Sequence, residues 1–251
     1  MPDSRSTTPI MDAYEAWAPH YTNHNAGTFP TDVLRSIERL LPPSVSASAE
    51  TGCGKSTILF SNISRHHTVF CLDDRDLGVD SSVLFFENCP VTKRDRIELI
   101  LGPTQRTLPT FKHAHRYGVV MLDGPHGWPF PELEYYFFYP MIEPGGLLVL
   151  DDCNIPTLGR MADILAEDEM WHLEGFAATA IIFRRTDAPL FDPAGDGWWD
   201  QRYNRRRVSR KRNIFMPGEP PIDSISSLHL DRGVFDSKIE PDAGGESTDK
   251  A

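Results

Sequence analysis

Apolar residues in this chain fall into short runs separated by polar turns. The strongest runs occupy residues 68–72, 97–101, 117–122 and 147–150, and each is followed by a polar or glycine-containing turn. Nearly unbroken apolar runs of this length are typical of strands buried on both faces of a sheet. Segments with apolar residues three and four positions apart, the spacing of a helix, lie between the runs. This alternation predicts an α/β fold with a mostly parallel sheet.

Weaker patterns extend this outline. Residues 45–49 form a strand candidate although two of them are serines, and residues 177–184 form the last strand candidate. A helix is expected to start near Pro131, because proline suits a first helical position, and to end at Gly145–Gly146. This helix would carry Leu133, Phe137 and Met141.

Length and composition set the domain organisation. With 251 residues, 40% of them hydrophobic, one domain with a core of ordinary size is expected. We assign residues 29–186 to this domain, residues 1–28 to an N-terminal segment that could form a lid, and residues 187–251 to a partly disordered polar tail. The sequence has no apolar run near the ~18 residues of a membrane span and no signal-peptide pattern. Its four scattered cysteines fit reduced thiols, so we expect a cytoplasmic protein without a membrane partner.

The formal net charge of −11 is unevenly distributed. Seven basic residues and no acidic one lie between Arg202 and Arg212, so the rest of the chain is strongly acidic. An acidic body repels phosphates, which argues against nucleic-acid binding by the main domain. Residues 202–212 are expected to form a solvated basic helix, with contacts to RNA, a membrane surface or an anionic acceptor as alternatives.

Residues 50–57, with the sequence ETGCGKST, form a glycine-rich turn after the first strand. One interpretation is a phosphate loop. Residues 49–56 fit a relaxed Walker A pattern, in which Lys55 would neutralise phosphates and Ser56 would hold Mg²⁺. The strand that ends at Asp151 would then supply the Walker B acid.

The second interpretation is a turn that binds S-adenosylmethionine (SAM). The glycines let the backbone approach a ligand closely. The Glu50 carboxylate would help to hold the ammonium group of the methionine moiety, and the N–H groups at Ser56 and Thr57 would meet its carboxylate. Asp73 favours this interpretation, because it follows the second strand 23 residues after Glu50, near the ~20-residue spacing of acids that bind ribose hydroxyls.

Three strings, in this order, resemble motifs of class I SAM-dependent methyltransferases. They are ETGCGKST at residues 50–57, VVMLDGPHGW at residues 119–128 and GGLLVLDD at residues 145–152. The last is similar to a subset that holds small-molecule and sugar O-methyltransferases, including relatives of catechol O-methyltransferase. The resemblance covers about residues 30–185. It implies a Rossmann-like, doubly wound, mostly parallel seven-stranded sheet whose last strand is antiparallel.

The resemblance also implies residue roles in SAM binding. Asp73 would bind the ribose hydroxyls, and Thr104 and Gln105 would hold the adenine. The sequence departs from the family's pattern beside the adenine, where Gly102–Pro103 replaces the usual Gly-Asp. The methionine end would be contacted by Glu50, Gly52, Gly54 and Ser56.

Asp123 and the pair Asp151–Asp152 end two neighbouring strands. Carboxylates this close repel one another unless a cation joins them, and oxygen ligands suit Mg²⁺ or Ca²⁺. The matching positions hold a divalent metal in the O-methyltransferases that use one, so we hypothesise a metal bound by Asp123, Asp151 and Asp152. Alternatively, Asp123 orients the substrate or SAM while the other two cap the next helix. His126 is the candidate general base, because imidazole titrates near neutral pH, or else a loop histidine that bonds its neighbours.

The sequence therefore predicts a SAM-dependent methyltransferase, one that methylates a hydroxyl oxygen of a small molecule. Three alternatives stay open. One is a P-loop nucleotide-binding protein, and another is a SAM-dependent methyltransferase of RNA or protein that uses the basic segment. The third is a methyltransferase-like fold that binds no cofactor and serves as an interaction module, although residues 50–57 and Asp73 are intact. The patterns define neither the acceptor nor the oligomeric state.

Overall fold

The structure is a computed structural model, and it describes residues 9–18, 30–41, 44–191, 197–199 and 201–207. These residues build one seven-stranded sheet with helices packed on both of its faces. Most of the predicted N-terminal segment and most of the predicted tail lie outside the described residues.

The sheet confirms the predicted fold class. Its strands are β1 (Val45–Thr51), β2 (Ser64–Cys71), β3 (Ile97–Leu101), β4 (Tyr117–Leu122), β5 (Ile142–Leu150), β6 (Trp171–Ala177) and β7 (Ala180–Arg185). They follow the order β3-β2-β1-β4-β5-β7-β6. The first five strands run parallel, and β7 is antiparallel to both β5 and β6. The carboxyl ends of β1 to β5 therefore meet at one edge, where open α/β sheets bind their ligands.

The helices form a layer on each face of the sheet. The α-helices of the described residues are α1 (Ile10–Trp17), α2 (Thr31–Leu40), α3 (Lys55–Ile63), α4 (Ser82–Asn88), α5 (Thr104–Thr107), α6 (Phe130–Phe138), α7 (Pro156–Leu165) and α8 (Arg202–Arg207). Apolar side chains of α1 to α4 pack against one face, and those of α6 and α7 pack against the other. None of these helices has the length and apolar character needed to cross a bilayer.

Two elements differ from the sequence-based prediction. Strand β6 was not predicted from its own residues, because the segment WHLEGFA mixes polar and apolar side chains; its apolar residues gain their environment from β7. The helix predicted to run from Pro131 to the glycine pair ends at Phe138, and Gly145–Gly146 lies inside β5. The buried residues of α6 are Pro131, Glu134 and Phe138, and the predicted helix residues Phe137 and Met141 are partly buried against the same core.

Aromatic residues of the N-terminal segment pack against the domain. Tyr14 is buried, and its ring contacts Trp17 and the α4 residue Phe85. The described part of the basic segment contacts α7 and the turn after it. Tyr203 accepts a hydrogen bond from Arg160 at 2.7 Å, and Arg206 lies 3.2 Å from Glu167.

Candidate active site

A three-residue turn joins β1 to α3 at the carboxyl edge of the sheet. Its first residue, Gly52, has a φ of 81°, a conformation that side chains disfavour. A Cβ atom here would also collide with the backbone carbonyl oxygen of Asp123 in the turn after β4. Only glycine therefore lets the turns after β1 and β4 approach each other this closely.

The Glu50 carboxylate lies beneath this turn and is 1% exposed. Its Oε1 atom accepts a hydrogen bond from the Thr57 hydroxyl and lies 3.1 Å from Nε2 of His67. The Thr57 hydroxyl in turn accepts a bond of 2.9 Å from the backbone N–H of Gly54. Glu50 thus braces the glycine turn from within the protein.

The polar residues of β1 belong to the same buried network. Nδ1 of His67 lies 2.8 Å from the Ser48 hydroxyl, which accepts a bond of 2.6 Å from the Ser64 hydroxyl. Ser48, Ser64 and His67 are all buried. The serine that weakened the strand prediction is therefore a hydrogen-bonding partner between β1 and β2.

A cavity of about 630 Å³ opens beside the turn. Three of the predicted cofactor-binding residues, Gly52, Thr104 and Gln105, line it, and so does Asp123. Four others are not among its lining residues and are buried behind the turn or at the start of α3. These are Glu50, Gly54, Ser56 and Thr57.

Two acids follow β2, and the structure gives them different environments. Asp73 is exposed and accepts a hydrogen bond of 3.0 Å from Arg75. Asp74 lines the cavity and accepts bonds from the Ser81 hydroxyl and from the N–H groups of Ser82 and Val83 at the start of α4. Burial raises the pKa of Asp74, but these hydrogen bonds outweigh it, and the pKa lies below its usual value.

Asp123, His126 and Asp152 converge at the ends of β4 and β5. Nε2 of His126 lies 3.2 Å from Oδ2 of Asp152 and 3.6 Å from Oδ1 of Asp123. Neither contact has hydrogen-bond geometry, so this buried nitrogen atom has no hydrogen-bond partner among the described residues. One ligand atom from each of the three residues falls within 4.8 Å of the others. Asp152 has a φ of 51°, a conformation uncommon outside glycine.

Electrostatics in this cluster are unfavourable as the chain stands. Burial raises the pKa of Asp123. The neighbouring His126 lowers this pKa, but the effect of burial is larger. The Asp123 carboxylate raises the pKa of His126. Burial thus disfavours the Asp123 carboxylate, and a bound cation would stabilise its charged form.

Asp151 does not join the converging group. It is 5% exposed, and its Oδ1 atom accepts hydrogen bonds from the Thr179 hydroxyl at 3.0 Å and from the N–H of Asp152 at 2.8 Å. Burial raises its pKa to about 7. Among the residues predicted to hold a metal, the structure brings Asp123 and Asp152 together with His126, while Asp151 bonds to neighbouring chain atoms.

Glu134 is a buried acid of the site that sequence reasoning missed. It is 1% exposed and accepts a bond of 2.7 Å from the Thr51 hydroxyl, which itself accepts a bond of 3.0 Å from the N–H of Asp123. A Cβ atom at Gly124 would collide with its carboxylate. Burial raises the pKa of Glu134 to about 7. The available signal was a glutamate at a helix position otherwise expected to be apolar.

Comparison with known families gives one match within the described residues. Residues 49–153, from β1 to the turn after β5, match a family described as "Methyltransferase domain". The match includes the glycine turn, the cavity and the acidic cluster. No curated protein gives a significant match to the sequence.

Solved structures of low sequence identity share the fold. A putative caffeoyl-CoA O-methyltransferase from Staphylococcus aureus is 13% identical, with a TM-score of 0.53 over 71% of this chain and 93% of that one. A putative O-methyltransferase from Klebsiella pneumoniae is 13% identical, with a TM-score of 0.51 over 73% and 92%. The methyltransferase PaMTH1 of Podospora anserina, solved with S-adenosylhomocysteine (SAH), is 13% identical, with a TM-score of 0.50 over 74% and 89%. Residues 49–153 are therefore similar to a methyltransferase domain, and the sheet and its helices share the Rossmann-like fold of these solved structures.

Proposed function

We propose that this protein transfers the methyl group of SAM to a hydroxyl oxygen of a small molecule. The observation that carries the proposal is the cavity beside Gly52, which continues to Asp123 and lies within the matched methyltransferase domain. Two of its structural neighbours are putative O-methyltransferases, which agrees with oxygen as the acceptor atom. The four free cysteines agree with a cytoplasmic location, which is part of the proposal.

Binding of SAM would use the two sides of the cavity differently. The adenosine would lie between the turn after β3, with Thr104 and Gln105, and the turn after β4. Its ribose would meet the acids after β2, with Asp73 as the predicted partner and Asp74 the one that lines the cavity. The methionine moiety would lie over the glycine turn, near the Glu50 carboxylate, which favours its ammonium group.

Methyl transfer would then take place beside Asp123. The acceptor oxygen attacks the methyl carbon, the carbon–sulfur bond breaks, and SAM becomes the neutral thioether SAH. The acceptor's hydroxyl proton must leave in this step, and His126 is the candidate to receive it. Asp123 and Asp152 lie close enough to His126 to stabilise the imidazolium that results. If His126→Ala keeps most of its turnover with SAM binding unchanged, His126 is not the base.

A divalent cation such as Mg²⁺ fits the same cluster. Asp123, His126 and Asp152 would hold it, because their ligand atoms converge and the buried His126 nitrogen has no hydrogen-bond partner among the described residues. When bound, the ion would lower the pKa of an acceptor hydroxyl and orient it. His126 would then be a ligand and not the base. Full activity after exhaustive chelation with EDTA would exclude the metal.

Calorimetry with SAH, followed by methyl-transfer assays on small hydroxyl compounds, tests the function. SAH is expected to bind in the micromolar range, and radiolabelled SAM is expected to label at least one acceptor on oxygen. ATP with Mg²⁺ should not bind. Binding of ATP–Mg²⁺ without binding of SAH would overturn the proposal.

The structure gives little support to the phosphate-loop alternative. Ala49, Glu50 and Thr51 pair with β2 and β4 as strand residues, which leaves three residues for the turn. A phosphate loop cradles its ligand with backbone N–H groups over a longer segment. Methylation of RNA or protein remains an alternative outcome of the acceptor assays, in which case label would appear in the macromolecule.

A further inference from the structure

We propose that His67 is a positioning residue that holds the Glu50 carboxylate in place for the ammonium group of SAM. The proposal rests on the proposed function. The imidazole of His67 is fully buried next to the glycine turn. Its strand, β2, contributes no residue to the cluster of Asp123, His126 and Asp152.

Hydrogen-bond directions in the network are fixed by its two ends. Ser64 donates to Ser48, so the Ser48 hydroxyl has its own proton left to donate to Nδ1 of His67. Nδ1 is then the acceptor nitrogen, and Nε2 carries the proton that faces Oε1 of Glu50. The two serines therefore select the tautomer of His67 that donates to Glu50.

Glu50 receives both of its hydrogen bonds on one oxygen. Oε1 accepts from His67 on β2 and from Thr57 on α3, while Oε2 accepts from no described residue. Two donors from different elements fix the plane of the carboxylate. Glu50 does not line the cavity, so the proposal requires that SAM binding bring the ammonium group to Oε2 beneath the glycine turn.

Removal of His67 would leave a buried carboxylate with one donor fewer. The cost of an unsatisfied buried group is large compared with the net value of an ordinary hydrogen bond. This cost lowers the stability of the free protein. In binding, the carboxylate is held by Thr57 alone, and only ligands that contact Glu50 are affected by its looser position. SAH carries the ammonium group, whereas 5′-methylthioadenosine has the same adenosine and sulfur but lacks the amino-acid moiety.

Calorimetry with these two ligands on the full chain separates a positioning role from a merely structural one. In His67→Leu, the Kd of SAH should rise about 10-fold, while the Kd of methylthioadenosine changes less than about 2-fold. His67→Gln can donate to Glu50 and accept from Ser48, so SAH binding should recover to within about 3-fold of wild type. His66→Leu is the matched control: His66 is exposed, stacks on His115, and should leave both Kd values unchanged.

If His67→Leu fails to fold, Ser48→Ala serves the same purpose. It removes the donor to Nδ1 and should weaken SAH binding about 3-fold while methylthioadenosine binding stays constant. Equal weakening of both ligands in the variants, or no change in either, would overturn the role of His67. A wild-type protein that binds neither ligand would instead overturn the proposed function.

Discussion

The two halves of the carboxyl edge are built on opposite principles. In the first, which we call the cofactor half, Glu50 and Asp74 each accept hydrogen bonds from side chains or N–H groups of neighbouring elements. In the second, the acidic half, Asp123 and Asp152 face a histidine nitrogen without hydrogen-bond geometry. Asp74 has a lowered pKa, whereas the pKa of Asp123 is raised.

Under the proposed function, this contrast would separate cofactor binding from chemistry. Hydrogen bonds that exist before the ligand arrives cost nothing to form on binding, so the cofactor half is preorganised. The acidic half carries carboxylates whose repulsion is relieved only by a proton, a metal or a charged transition state. Such perturbed groups in a cleft are typical of catalytic sites. Substitutions in the two halves should therefore affect stability and turnover in opposite ways.

Asp123→Asn should show the largest effect. Turnover is expected to fall at least about 100-fold, because the change removes the charge next to His126 and a candidate metal ligand. The melting temperature should stay equal or rise, since burial already disfavours the Asp123 carboxylate. Initial rates at saturating SAM and a thermal melt measure both. A variant with turnover within 3-fold of wild type would remove Asp123 from the chemistry.

Predictability from the sequence differed between the two halves. Residues 117–122 and 147–150 are apolar runs that the sheet buries on both faces, so β4, β5 and the acids after them followed from the pattern. The serines of β1 looked unfavourable for a strand, because their partners His67 and Ser64 lie on β2 and the pairing is visible only in three dimensions.

Glu134 and Asp151 are site residues whose environments also could not be predicted from the sequence. A glutamate among aromatic residues of α6 gives no sequence signal of its contact with Thr51, which lies 83 residues earlier. The adjacent acids Asp151 and Asp152 look equivalent in sequence. Their environments differ because the backbone turns between them, so that Thr179 bonds one and His126 faces the other.

Gly52→Ala tests whether the cofactor half depends on close packing of its turn. A side chain at a φ of 81° is strained, and its Cβ atom would push against the Asp123 carbonyl. We expect stability to fall by about 2 kcal/mol and SAH binding to weaken about 30-fold. Urea denaturation and calorimetry provide the measurements, with Gly127→Ala as control, because nothing lies within 4 Å of a Cβ atom there. Unchanged SAH affinity in Gly52→Ala would show that the turn does not shape the site.

Glu134→Gln probes the boundary between the two halves. The folded pKa of Glu134 is raised to about 7 by burial, so the folded state binds its proton more tightly than the unfolded state. The free energy of unfolding of the wild type should therefore fall as the pH rises from 5 to 8. The glutamine variant has no carboxyl group at this position, so it should not show the part of this decrease that comes from Glu134. Its stability relative to wild type should increase over that range by about 1–2 kcal/mol. Glu98→Gln, at an exposed strand position, should show no such trend.

Asp74→Asn should have the smallest effect. At neutral pH it should lower the stability of the fold, whereas Glu134→Gln should raise it. The hydrogen bonds from Ser81, Ser82 and Val83 lower the folded pKa of Asp74 below its unfolded value near 3.8. The carboxylate therefore stabilises the fold at neutral pH, and this contribution is lost as the pH falls through the folded pKa. At pH 7 the variant should be about 1 kcal/mol less stable than wild type, as expected for loss of a helix cap.

Urea denaturation at pH 7 and below pH 4 tests this prediction, because the difference should narrow as wild-type Asp74 takes up its proton. Asp76→Asn is the matched control, since Asp76 is exposed two residues away and should change stability by less than about 0.5 kcal/mol. A stability difference that grew on acidification would mean that Asp74 is held in the folded state against repulsion. The cofactor half would then be strained in the same way as the acidic half, and the separation of binding from chemistry would fail.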